Sequence, residues 1–105
     1  MKDKVIVIRT HQGDDILGTL IDEDNATYGV YNPYYVRYSS TVGISLVPYC
    51  YLTDEKYYKF DKTKVEFMVE ASERIADKFL YVSEMEEDMI ESPFVNLVKG
   101  NETKH

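Results

Sequence analysis

Val5-Ile6-Val7-Ile8-Arg9-Thr10-His11-Gln12-Gly13-Asp14-Asp15-Ile16-Leu17-Gly18-Thr19-Leu20-Ile21-Asp22-Glu23-Asp24 is the stretch on which the fold turns. The β-branched run from Val5 to Thr10 stops at Gln12-Gly13, which reads as a strand followed by a turn. From Asp14 to Asp22 the extended pattern resumes. Ile16, Gly18, Leu20 and Asp22 then share one face, and Leu17, Thr19 and Ile21 the other. Gly18 inside this strand predicts a sharp bend or the close approach of another backbone. Asp22-Glu23-Asp24-Asn25 is a polar turn whose side chains can hydrogen-bond their own backbone.

Working outward, Thr27 to Tyr38 is a third extended segment, interrupted at Asn32-Pro33. Proline lacks a ladder donor, so a bulge or an edge is expected there. Ser39-Ser40-Thr41-Val42-Gly43 is a turn, and Ile44 to Leu52 extends again, with Pro48 raising the same edge problem. Thr53-Asp54-Glu55 breaks the run, and Tyr57 to Phe60 is a short strand. Val65, Phe67 and Val69 alternate with Glu66, Met68 and Glu70, as in a half-buried strand. Positions 65, 68, 69, 72, 75, 76 and 79 also fit one long helix, but a strand followed by a helix is preferred. Ser72 suits an N-cap with Glu73 in the first turn. Ile75, Phe79, Val82 and Glu86 then fall at one helical azimuth. Pro93 ends the helix, and a loosely attached tail is expected from there to His105.

With 105 residues the chain is expected to form one domain. No stretch approaches the ~20 apolar residues of a membrane span, the N-terminus leads into no signal-peptide core, and Cys50 is the only cysteine. Together these features predict a soluble protein of a reducing, cytoplasmic compartment. The net charge is −7, and the distribution qualifies what it implies for partners. Residues 71–105 carry four Lys/Arg against eight Asp/Glu, whereas residues 56–64 carry four lysines against one acid. Ten tyrosines and four phenylalanines suit pleated surfaces and interfaces.

Catalytic constellations are weak. His11 and His105 are the two histidines, and no paired-Cys or Cys/His metal spacing exists. No glycine-rich phosphate loop is present. Asp14-Asp15 and Asp22-Glu23-Asp24 lack the twelve-residue calcium-loop pattern and read as solvated turn carboxylates. Cys50, between Tyr49 and Tyr51, reads as a packed strand residue. The expectation is therefore no enzyme, no cofactor and no metal. Lys56-Tyr57-Tyr58-Lys59-Phe60-Asp61-Lys62-Thr63-Lys64 admits two readings. Its ammonium groups can meet phosphates while rings stack on the bases of a single strand. Equally, it is an edge strand guarded by lysine with its aromatics in the core.

The order of elements resembles the Sm-like family, which includes the bacterial RNA chaperone Hfq. Gly18-Thr19-Leu20-Ile21-Asp22-Glu23-Asp24 is similar to the family's first motif in its glycine-to-aspartate spacing. Thr27 falls at the family's base-stacking position and Tyr28 at its asparagine position. Phe60-Asp61-Lys62-Thr63-Lys64-Val65-Glu66-Phe67 resembles the second motif, a short strand, a tight basic turn and a final strand; Asp61 departs from the usual residue. The acidic balance, the long segment between the motifs and the helix behind the barrel look similar to a divergent branch in marine viruses that infect cyanobacteria.

The resemblance implies a mainly β fold: a small, strongly bent five-stranded barrel over residues 1–71, with an extended loop or hairpin inserted at about 33–55. A C-terminal helix would follow over 72–92, then a flexible tail over 93–105. It further implies a homo-oligomeric ring, pentamer to heptamer, that binds single-stranded nucleic acid, with RNA favoured over DNA. Asp24 would shape the turn, Thr27 and Tyr28 contact a base, and Lys62 and Lys64 contact phosphate or a base edge. Ring assembly also follows from physics, because an open sheet leaves two edges and head-to-tail pairing closes them. The rival expectation is a protein-interaction ring that recruits a partner through its acidic surface, motivated by the net charge and by Glu84-Met85-Glu86-Glu87-Asp88.

Overall fold

Six strands form one antiparallel sheet in this computed structural model, which describes residues 4–41, 43–50 and 52–88. They are β1 (Lys4–Thr10), β2 (Asp15–Glu23), β3 (Thr27–Ser39), β4 (Gly43–Pro48), β5 (Tyr57–Asp61) and β6 (Val65–Glu70). A 3-10 turn, Lys62–Lys64, joins β5 to β6, and helix α1 runs over Glu73–Asp88. The end of the expected helix at 89–92 and the tail at 93–105 lie outside the described residues. The expected strand-then-helix order holds. Ser72 caps α1, its Oγ accepting from the Ile75 amide at 3.3 Å.

The sheet order is β4-β3-β2-β1-β6, with β5 also paired to β3. The long segment between the motifs folds as a hairpin, in which the end of β3 pairs with β4 from Tyr34↔Pro48 to Ser39↔Gly43. The count is therefore six strands, not five, because this insertion supplies one of its own. Nor is the sheet closed: β5 pairs with β3 and β6 pairs with β1, but β5 and β6 do not pair with each other. Even so, the three-residue turn between them spans from one edge of the sheet to the other, which requires the sheet to curl strongly.

The bend has a local origin at Gly18 and Asn32-Pro33. The β2–β3 ladder runs Leu17↔Tyr34 and then Thr19↔Tyr31, so Asn32 and Pro33 bulge opposite Gly18. Asn32 takes φ 57, a left-handed value asparagine tolerates, and its amide donates to the Lys56 carbonyl at 2.6 Å. A Cβ on Gly18 would collide with Cγ1 of Val30. At this bulge β3 changes partner, from β5 over Thr27–Tyr31 to β4 over Tyr34–Ser39.

Each face of the sheet carries a buried cluster. Ile6, Ile8, Ile16, Val30 and Phe60 form the inner core, joined by Leu20, Tyr28, Tyr35, Tyr49, Tyr58, Val65 and Met68. On the opposite face Leu17 and Tyr34 meet Phe79 of α1, with Val5, Val7, Ile75 and Val82 around them. The Tyr34 and Phe79 rings meet edge to face at 5.7 Å. The helical stripe from Ile75 to Val82 is thus what holds α1 to the sheet.

Two expectations are corrected. In β6 the ladder slips between Arg9↔Phe67 and Thr10↔Val65, so Glu66 has no opposite residue. That slip turns Val65 and Met68 inward and leaves Phe67 and Val69 at 39% and 49% exposure, rather than one unbroken apolar face. Cys50 is exposed, not packed in a strand. Strand β4 ends at Pro48, and Tyr49 turns into the core with its amide donating to the Pro33 carbonyl, leaving Cys50 outside.

Candidate nucleic-acid interface

The β2–β3 turn is built by its own carboxylate. Asp24 Oδ1 accepts from the amides of Ala26 and Thr27 at 2.8 and 2.7 Å, and from Thr27 Oγ1 at 3.1 Å. These hydrogen bonds, the Ala26 amide first, hold the Asp24 carboxyl below its ordinary range. Asp24 thus sets the geometry of this turn. Thr27 engages its hydroxyl in that same turn and so helps to order the loop.

The 3-10 turn after β5 is built the same way. Asp61 accepts from the Thr63 amide at 2.9 Å and from Thr63 Oγ1 at 2.8 Å, which caps the turn and lowers its own pKa. Asp61 is therefore a capping residue. The two turns are docked by a backbone bond from the Lys62 amide to the Ala26 carbonyl at 2.8 Å.

Docking brings Lys62 Nζ to 4.9 Å from the centroid of the half-buried Tyr28 ring. The same ammonium donates to Glu23 Oε2 at 2.7 Å, and this hydrogen bond raises its pKa. Lys62 is consequently a shared cation, not a bare one. An exposed ion pair of this kind is worth only ~0–1 kcal/mol, so a phosphate can displace Glu23 at small cost. On the neighbouring strands the Tyr57 hydroxyl donates to the Asp22 carboxylate at 3.0 Å, beside Gly29, where a Cβ would strike Asp22.

Asp24, Thr27, Tyr28 and Lys62 therefore come together, from two turns distant in sequence. Lys64 does not join them. It lies on the other side of the 3-10 turn, where its carbonyl accepts from the His11 amide at 3.2 Å. There it lines a cavity of about 520 Å³ at the end of the inner core, with His11, Tyr35, Tyr49 and Lys59 among its walls. Sequence reading missed Tyr35, Tyr49 and His11, because they arrive from β3, the segment after β4 and the β1–β2 turn. Nothing in their spacing links them.

Among the described residues no group of three or more His, Cys, Asp or Glu is placed to hold a metal ion. No described helix is long and apolar enough to cross a membrane. In comparison with known proteins, no family model matches the chain, and no curated protein matches it in sequence.

Proposed function

We propose that this protein is a homo-oligomeric Sm-like ring, pentamer to heptamer, that binds single-stranded nucleic acid in the cytoplasm, RNA in preference to DNA. The observation that carries the reading is the Tyr28–Lys62 pair at the meeting of the two turns. The ammonium lies over the ring, and when Lys62 swings off that face to meet a phosphate the ring is left for a base. The sheet order adds support, since β6 exposes one free edge with Phe67 and Val69, and β5 lies on the opposite edge. Joining such edges head to tail generates a closed ring and repeats the turn site around it. The role of this site is binding, and the reading assigns no catalytic residue.

Native mass spectrometry with a short uridine-rich RNA tests the reading. A closed oligomer taking up RNA in fixed ratio is expected, with weaker uptake by Lys62→Ala in a ring of unchanged size. The log–log slope of affinity against salt should become shallower by about 0.7 for each phosphate that the variant no longer neutralises. A monomer, or a ring indifferent to RNA, refutes the proposal. A second reading, recruitment of a partner protein, is favoured by the outer face of α1. There Leu80, Tyr81 and Met85 are 44%, 65% and 43% exposed among Asp77 and Glu84. A flat salt dependence with nucleic acid, together with specific capture of a partner protein from host lysate, would favour it.

A further inference from the structure

We propose that the cavity between the β1–β2 turn and the 3-10 turn is a second binding site, which takes one nucleoside unit. It goes beyond the Tyr28–Lys62 site, since it lies on the other side of the 3-10 turn and shares none of those side chains. Its size, about 520 Å³, lies within the ~300–1,000 Å³ typical of small-molecule pockets. The floor is apolar: Ile16, Phe60 and Val65 close the end of the inner core.

Tyr35 and Tyr49 form an aromatic wall, with ring centroids 5.2 Å apart. Tyr49 is itself braced edge to face by Tyr58 and Phe60, at 5.1 and 5.4 Å. Arg37 lies 4.7 Å from the Tyr35 centroid. A wall fixed this firmly meets a planar heterocycle without further ordering, which favours binding.

The rim decides the chemical class. Thr10 and Gln12 offer neutral donors and acceptors, Thr63 being held by Asp61, and Lys59, Lys64, Asp14 and Asp61 complete the charged lining. Two cations against two carboxylates leave no formal excess, so the lining does not select a free dianionic phosphate. It suits a neutral base and sugar with a mixed hydrogen-bonding edge. Lys59 and Lys64 are exposed at the mouth, where the single charge of a phosphodiester would pass. The nucleoside unit can therefore be free or part of a strand.

The test is a titration of the isotopically labelled full chain, followed by amide chemical shifts, with uridine, cytidine, adenosine, guanosine and a hexauridylate strand. Saturable shifts at residues 10–14 and 59–65 are expected, with Kd on the order of 1 mM for a lone nucleoside. Response to nucleosides assigns the site to free ligands, and response to the strand alone assigns it to a nucleotide within a chain. No saturable shift there with any probe, or shifts confined to Tyr28 and Lys62, overturns the proposal. In Lys64→Ala, strand-induced shifts at the cavity should weaken several-fold while nucleoside-induced shifts persist. Loss of strand uptake in Lys62→Ala, with the cavity still responsive, would separate the two sites.

Discussion

Replacing Gly18 by alanine tests why the sheet bends where it does. The added methyl would enter the space of Val30 Cγ1, and Val30 is fully buried, so its side chain has no room to withdraw. Overfilling a core position costs ~1–3 kcal/mol. The φ of Gly18 is not left-handed, so alanine also restricts the unfolded chain and returns ~0.4–1 kcal/mol. The net expectation for Gly18→Ala is a loss of about 1–2 kcal/mol.

Val30→Ala removes two methyl groups at ~0.8 kcal/mol each and leaves a cavity, for a loss of about 2–3 kcal/mol. In the double variant the new methyl occupies space that Val30 vacated. The combined loss should fall short of the sum by about 1–2 kcal/mol. Urea unfolding at one fixed protein concentration measures this cycle. With a slope of ~1–3 kcal/mol/M, a change of about 1–2 kcal/mol moves the midpoint by several tenths of a molar unit or more. Additivity within ~0.5 kcal/mol would refute the reasoning. The Pro33 Cα and Tyr31 carbonyl oxygen stand 3.4 Å from the same methyl position, an ordinary contact distance, so neither supplies the crowding.

Phe79→Ala should cost ~3–5 kcal/mol, since the ring is 1% exposed and joins α1 to Leu17 and Tyr34; loss of helical circular dichroism before loss of the sheet signal would confirm its role. Ser72→Ala removes the α1 cap and should lower stability by ~0.5–2 kcal/mol, and an unchanged urea midpoint would deny the cap. The Asp15 carboxyl is held below its ordinary value first by the Arg9 hydrogen bond and also by the Tyr38 hydroxyl. A lowered folded pKa means this contribution is complete above the unfolded carboxyl pKa of ~3.9 and is lost as pH falls through the folded value. Acid titration of stability should therefore be shallower in Asp15→Asn than in the wild type, and parallel curves would remove Asp15 from acid unfolding.

Much of the architecture was legible because strand and turn signals here are local. Gln12-Gly13, Asp22 to Asn25 and Ser39 to Gly43 each mark a reversal, and the chain turns back between strands at all of them. The interruption at Asn32-Pro33 was readable as a bulge, but its effect on pairing was not. That effect depends on Gly18, which faces it across a ladder formed only in the folded state. The span of β6 was legible but its facing was not: alternation predicts one face, and a single slip against Thr10 reassigns the residues beyond it. In the candidate site, Asp24 and Lys62 were found through motif order. The pairing of Lys62 with Glu23 was hidden, since nothing near either residue announces it. The cavity walls were hidden more completely, being contributed by separate segments of the chain.

The burial of both faces of β1 bears on how this sequence can change over generations. A strand with one wet face tolerates polar replacements at every second position, and its variation carries a period of two. Strand β1 has no such relief: Ile6 and Ile8 are sealed in the inner core, and Val5 and Val7 are held under α1. Substitution there is restricted to apolar residues of similar volume, and the freedom to diverge passes to the turns and the open edges. A saturation library should show it as an unbroken intolerant block from Val5 to Ile8, beside permissive positions at residues 11–12 and 39–41, with Gly13 kept by its φ of 96. New binding preferences would then arise at the turns without endangering the sheet that presents them.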